Sequence, residues 1–182
     1  MSLEEFDDEN QTKELVYAIT KDDAAKRITL VFRGTDTSLA FRTNWSANLD
    51  SAKVKGAIPE SLKKLVPSMK EMKFHSGFYD YVFNKTADQN DNPDIRKYDQ
   101  ILEDVKAQLK KHRGYKLYVT GHSLGAALST LVSFYLSCEP DEDIPKPVMN
   151  INFASPRLAD VNVLRASEAL ERAGKLRIFR VT

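Results

Sequence analysis

Gly121, Ser123 and Gly125 stand two residues apart in the stretch Tyr115 to Leu136, YKLYVTGHSLGAALSTLVSFYL. A serine flanked two places either side by glycine is the arrangement of a nucleophile elbow, where strand and departing helix approach too closely for a side chain. The serine is then held exposed on strained backbone. The chemistry it suits is acyl transfer: the hydroxyl attacks a carbonyl, and free amides at the helix N-terminus receive the oxyanion. Three fixed positions alone also describe a Gly-Ser turn. Their context is what carries the reading.

That context is strand, sharp turn, helix. A short β-branched and aromatic run ends at Gly121, and after Ser123 the pattern is apolar and Ala-rich without Gly or Pro for a helical length. An amphipathic helix precedes it, with Asn92 as the expected N-cap, Pro93 at the first helical position and Asp94 in the first turn. Ile95, Tyr98, Ile101, Leu102, Val105 and Leu109 share one stripe, and the basic run Lys110 to Arg113 sits where the C-terminal dipole favours it. That run is read as helix termination rather than a binding patch. After the elbow helix, Val148 to Ala154 predicts a strand, Leu158 to Ala173 a helix and Leu176 to Val181 a further strand. Strands alternating with helices on short connections imply right-handed crossovers and a mostly parallel sheet covered on both faces.

Earlier in the chain, Leu15 to Thr20 and Arg27 to Arg33 predict a hairpin turning at Lys21 to Ala24. Met1 to Lys13 reads as a polar, solvated tail, which leaves residues 14–182 as one domain. Asn48 to Val54 alternates like a strand, Gly56 to Met72 holds a short helix, Lys73 to Tyr81 turns from extended to helical, and Asn84 to Asn92 is a loop. Between the hairpin and the next strand, Thr35 to Ser46 is polar yet carries Leu39, Phe41 and Trp45. Such a segment either packs on the body or covers a pocket; beside an elbow, a cover is the better reading.

Composition narrows the classes. At 182 residues the chain can bury roughly 70% of its unfolded surface, enough for one domain with a core. A net charge of +1 from 27 basic and 26 acidic residues gives no reason to invoke nucleic acid. The single cysteine, Cys138, excludes an intramolecular disulfide. The acidic start lacks the basic and apolar regions of a signal peptide, and no run approaches the roughly eighteen apolar residues of a membrane span. The sequence as written therefore reads as cytoplasmic. It gives no oligomeric state.

Five ordered motifs resemble the class 3 lipase family: LVFRGT (Leu30 to Thr35), NWSANLD (Asn44 to Asp50), HSGFYDY (His75 to Tyr81), YVTGHSLGAALSTL (Tyr118 to Leu131) and NFASPRLAD (Asn152 to Asp160). The resemblance implies an α/β-hydrolase fold, C-terminally incomplete here, and hydrolysis of acylglycerol or phospholipid esters at a lipid–water interface. It implies Ser123 as nucleophile, Thr35 and the Leu124 amide as oxyanion donors, Gly121, His122 and Gly125 as the elbow, and Leu39, Phe41 and Trp45 in a lid. It implies no metal or organic cofactor. Ala126, where a second glycine is commoner, and Asn44, where Asp is commoner, depart from the family pattern.

The larger departure lies in the triad. An α/β-hydrolase supplies Ser, then Asp or Glu, then His. The three histidines, His75, His112 and His122, all precede Ser123. His122 is read as shaping the elbow, His75 as structural, and His112 as a helix-end residue. Asp160, the nearest acid substitute, reads as a helix N-cap. The family's Asp and His are expected beyond Thr182. A non-catalytic acyl- or lipid-binding relative of the hydrolases is the alternative. A nucleotide-binding domain lacks its glycine motif after any strand.

Overall fold

A computed structural model describes residues 1–7, 15–34, 53–83 and 95–182. Its centre is a six-stranded sheet in the order β1-β2-β3-β6-β7-β8. β2 (Tyr17–Asp22) and β3 (Arg27–Phe32) form the expected antiparallel hairpin, Tyr17 opposite Phe32. β6 (Lys116–His122), β7 (Val148–Phe153) and β8 (Leu176–Val181) follow in parallel on β3. A two-stranded antiparallel ribbon, β4 (Lys53–Gly56) with β5 (Met72–His75), stands apart.

Among the described residues the helices are α1 (Glu60–Leu65), α2 (Ser76–Phe83), α3 (Lys97–Lys111), α4 (Leu124–Leu136) and α5 (Val161–Arg172). From β3 onward the strand order advances in one direction, so right-handed crossovers carry the described connecting helices to the same face. Burial follows. On the helix side Ile19, Leu30, Leu117, Val119, Val148 and Leu176 are buried, whereas Val31, Tyr118, Met149 and Ile151 on the other side are only half-buried and Phe179 is 50% exposed. The expectation of two covered faces is therefore met on one face among the described residues. Strand order, which adjacent segments of sequence do not reveal, decides this.

Two boundaries differ from expectation. Ser2–Asp7 is not a solvated tail: it forms β1, an edge strand paired antiparallel with β2, its side chains Leu3 and Phe6 exposed. An edge strand needs only backbone pairing on one side, so a charged, polar sequence can supply it. Helix α3 starts at Lys97 with Arg96 at its N-cap, and Ile95 is exposed instead of lying on the apolar stripe. Burial sets that start: Tyr98 and Ile101 enter the core, and the Tyr17 hydroxyl donates to Asp104 Oδ2 at 2.5 Å. Asn92, Pro93 and Asp94, like Thr35 to Ser46, lie outside the described residues.

Helix α4 is apolar all round and almost wholly buried, as a central helix must be. Its hydroxyls stay satisfied within the helix: Ser129 donates to the Ala126 carbonyl at 2.9 Å and Ser133 to Thr130 at 3.0 Å. In its last turn, Tyr135 packs in edge-on contact with Phe83, Tyr98 and Phe134, at centroid distances of 4.7 to 5.9 Å. Each such pair adds roughly 0.5–1.5 kcal/mol beyond its buried area. This cluster fixes α4 against α2 and α3. Its N-terminus at Ser123 is thereby fixed too.

Candidate active site

Ser123 joins β6 to α4 with φ 54° and ψ −117°, a conformation that non-glycine residues rarely adopt. Three packing constraints hold it there. A Cβ on Gly121 would run into the carbonyl of Gly125, and one on Gly125 would lie 2.5 Å from the Phe32 carbonyl oxygen. A Cβ on Gly34 would lie 3.1 Å from the His122 carbonyl oxygen. The end of β3 thus passes directly against the elbow. The Ser123 amide also donates to the carbonyl of Phe153 at 3.0 Å, which ties the turn to the end of β7.

The side chain of Ser123 makes no capping bond to its own helix, and among the described residues its hydroxyl has no hydrogen-bond partner. The amides of Ala126 and Ala127 turn back to the Ser123 carbonyl at 3.0 and 3.3 Å. The helix itself therefore leaves the Leu124 and Gly125 amides without an acceptor, at the positive end of its dipole. A half-exposed hydroxyl beside two unspent amides is what a tetrahedral oxyanion requires of its host. Thr35 follows Gly34 in sequence but lies outside the described residues, as do Leu39, Phe41 and Trp45.

The other candidates go elsewhere. His122 is exposed, and strand alternation puts it on the sheet face opposite α4, opposite Phe153. His75 ends β5, where its amide donates to the Leu158 carbonyl at 2.8 Å and its ring lies 4.9 Å from Phe78. His112 caps the C-terminus of α3, at the opposite end of β6 from Ser123. Asp160 is a helix N-cap: Oδ1 accepts from the Asn162 and Val163 amides at 3.1 and 3.2 Å. The structure brings none of these four to the Ser123 hydroxyl through a hydrogen bond.

A polar ladder beneath the elbow escaped the sequence reading. Asn152 donates to Thr130 of α4 at 3.1 Å and to Asn150 within β7 at 2.7 Å, and Asn150 donates to Ser129 of α4 at 3.1 Å. Two asparagines at period two in an otherwise apolar strand were the available signal. Asn152 adjoins Phe153, so the ladder anchors the strand end that receives the Ser123 amide.

A mostly parallel sheet with a strained serine between its central strand and a buried helix defines an α/β-hydrolase. The chain belongs to the class 3 lipase family: the family model described as Lipase (class 3) matches residues 29–182. Phospholipase A1-II 3 of Oryza sativa subsp. japonica is 28% identical over 158 residues, 83% of this chain and 36% of that protein. The lipase of Rhizopus niveus is 29% identical over 147 residues, 78% of this chain and 30% of that protein. The chain thus spans about a third of these relatives. The crystal structure of Lip2 lipase from Yarrowia lipolytica superposes on all of this chain and 58% of its own, with a TM-score of 0.73 at 19% identity.

Proposed function

We propose that this chain carries the nucleophile and part of the oxyanion hole of a lipase, an ester hydrolase for acylglycerols or phospholipids that works through an acyl-enzyme on Ser123. The observation that supports it is the strained, uncapped Ser123 at the N-terminus of α4. Its relatives include a phospholipase A1 and a lipase, both named for lipid ester hydrolysis.

Ser123 Oγ attacks the ester carbonyl as its proton passes to a base, and the carbonyl oxygen becomes an oxyanion held by the Leu124 amide and by Thr35. Collapse breaks the ester C–O bond, and the leaving alcohol takes the proton. Water then attacks the acyl-serine and releases the fatty acid. Losing one oxyanion donor raises such a barrier by about 3 kcal/mol. The base and its orienting acid are a histidine and an aspartate from polypeptide following Thr182, since no histidine lies between Ser123 and Thr182. Leu39, Phe41 and Trp45 belong to a lid that opens at a lipid–water interface.

In the full-length protein a fluorophosphonate probe should label Ser123, and Ser123→Ala should abolish the labelling. An unlabelled but folded full-length protein overturns the hydrolase reading. The Ser123 hydroxyl, without a partner among the described residues, then favours a second reading, a non-catalytic acyl-binding protein, which predicts saturable fatty-acid binding without turnover.

A further inference from the structure

The basic run at the end of α3 does more than end a helix. Lys110, His112 and Arg113 line a cleft of about 810 Å³ together with Lys116 of β6 and the loop from Asp141 to Lys146. Two of the three acids there are already engaged: Asp143 with Lys106 at 3.2 Å and Asp141 with Lys175 at 2.8 Å. Lys146 donates to the Leu136 carbonyl at 2.7 Å at the end of α4. Among the described residues Lys110, Arg113 and Lys116 have no acidic partner, against Glu142 as the one uncommitted acid. Helix termination accounts for Lys110 in the last turn of α3. It does not account for Lys116, which belongs to a strand.

A second recess opens from the same side chains. Lys116, Pro145 and Lys146 line both spaces, and Tyr118, Pro147 and Met149 complete a pocket of about 120 Å³. An apolar cavity near 150 Å³ accommodates a benzene ring, so this space suits one small ring or a short alkyl group. Burial holds the Lys146 ammonium down to about 8, with Asp141, Glu139, Cys138 and Lys175 also facing it. An anion in the cleft would push it back up.

The cleft lies at the start of β6 and Ser123 at its end, about 20 Å apart for a seven-residue strand. With the Ser123 end turned toward lipid, the cleft faces water, which argues for a soluble occupant rather than a bilayer headgroup. Arginine and lysine converging on one space, next to an apolar recess, match a phosphate with a small substituent.

We propose that this cleft is a second binding site, for a soluble phosphate monoester carrying a small apolar group. Lys110, Arg113 and Lys116 hold the phosphate, and Tyr118 and Met149 hold the apolar group. The orientation argument rests on the lipase reading; the binding itself does not use Ser123.

Titration calorimetry on full-length Ser123→Ala protein tests it, with phenyl phosphate, inorganic phosphate and phosphatidylglycerol vesicles as separate probes at physiological salt. Phenyl phosphate should bind saturably and more tightly than inorganic phosphate. Arg113→Gln and Lys116→Gln should each weaken it about tenfold, with an unchanged urea midpoint showing that the fold persists. Met149→Ser should lower affinity for phenyl phosphate alone. Absence of saturation, or binding indifferent to both cation variants, overturns the proposal. Vesicle binding that needs the two cations, without phenyl phosphate binding, overturns it in favour of a bilayer site. Because Ser123 is already replaced, none of these outcomes depends on whether the protein is a hydrolase.

Discussion

Gly125 lies so close to Phe32 that a β-carbon on it would stand 2.5 Å from the Phe32 carbonyl oxygen and 2.7 Å from that of Arg33. Both obstacles are backbone at the end of β3 and the residue after it, which cannot swing away as a side chain could. Gly125→Ala should therefore cost about 3 kcal/mol in urea unfolding and displace the elbow. Gly114→Ala is the control. That glycine has φ 81° with open space around it, so only backbone strain of about 1 kcal/mol is expected. Equal losses at the two positions would contradict the steric account.

Ser123 holds an unfavourable backbone conformation, φ 54° and ψ −117°, that glycine adopts without a β-carbon penalty. Ser123→Gly should raise the unfolding free energy by about 1 kcal/mol while abolishing probe labelling in the full-length protein. A loss of stability would mean that the serine side chain stabilises the turn through a contact of its own.

Asp160 has a structural job, accepting two amides at the start of α5. Asp160→Ala should cost about 1 kcal/mol, and Asp160→Asn should cost little, because asparagine caps equally well. Both variants should keep the labelling of Ser123 in the full-length protein. If Asp160→Asn folds but loses labelling, the residue is the triad acid after all.

Cys138 is buried, and that burial pushes its thiol up to about 11, against pulls from Ser61 and Ser137. At pH 8 the folded protein should react with a disulfide reagent at least a hundredfold more slowly than the unfolded chain. The folded value exceeds the unfolded one near 9, so folding favours the neutral thiol. Its contribution is complete below about pH 9 and fades as pH rises toward 11. Tyr98 and Tyr135, also raised by burial, act in the same direction above about pH 10. The urea midpoint of Cys138→Ala should therefore fall less steeply across this window than that of the unsubstituted protein.

The elbow was legible because its constraint is local: two close backbone approaches select glycine at Gly121 and Gly125, and the switch from strand to helix falls between them. The hairpin and the β6-α4-β7-α5-β8 succession were legible from periodicity. Long-range choices were not. Nothing in Ser2 to Asp7 signals a strand, because β2 supplies its partner groups. Helix α3 begins at Lys97, where Tyr98 and Ile101 enter the core, while the capping signals at Asn92 and Pro93 lie outside the described residues. The Asn150 and Asn152 ladder was hidden by its own periodicity, since alternation marks which residues share a face and not which face is buried. The cleft was missed for a similar reason, because Lys110, Lys116 and Lys146 come from three separate segments.

The central pairing of β3 with β6 joins segments far apart in the chain, and the bond from Tyr17 to Asp104 beside it spans 87 positions. Closing so long a loop is entropically slow, whereas the β2–β3 hairpin and the β6-α4-β7 unit assemble from near neighbours. The two sides of the sheet, β1-β2-β3 and β6-β7-β8, thus meet at one long-range seam. The elbow sits on that seam, because the steric partner of Gly125 belongs to β3 while Ser123 belongs to β6 and α4. The conformation of Ser123 therefore depends on both sides of that seam being in place, because neither β3 nor the β6–α4 unit alone confines Gly125.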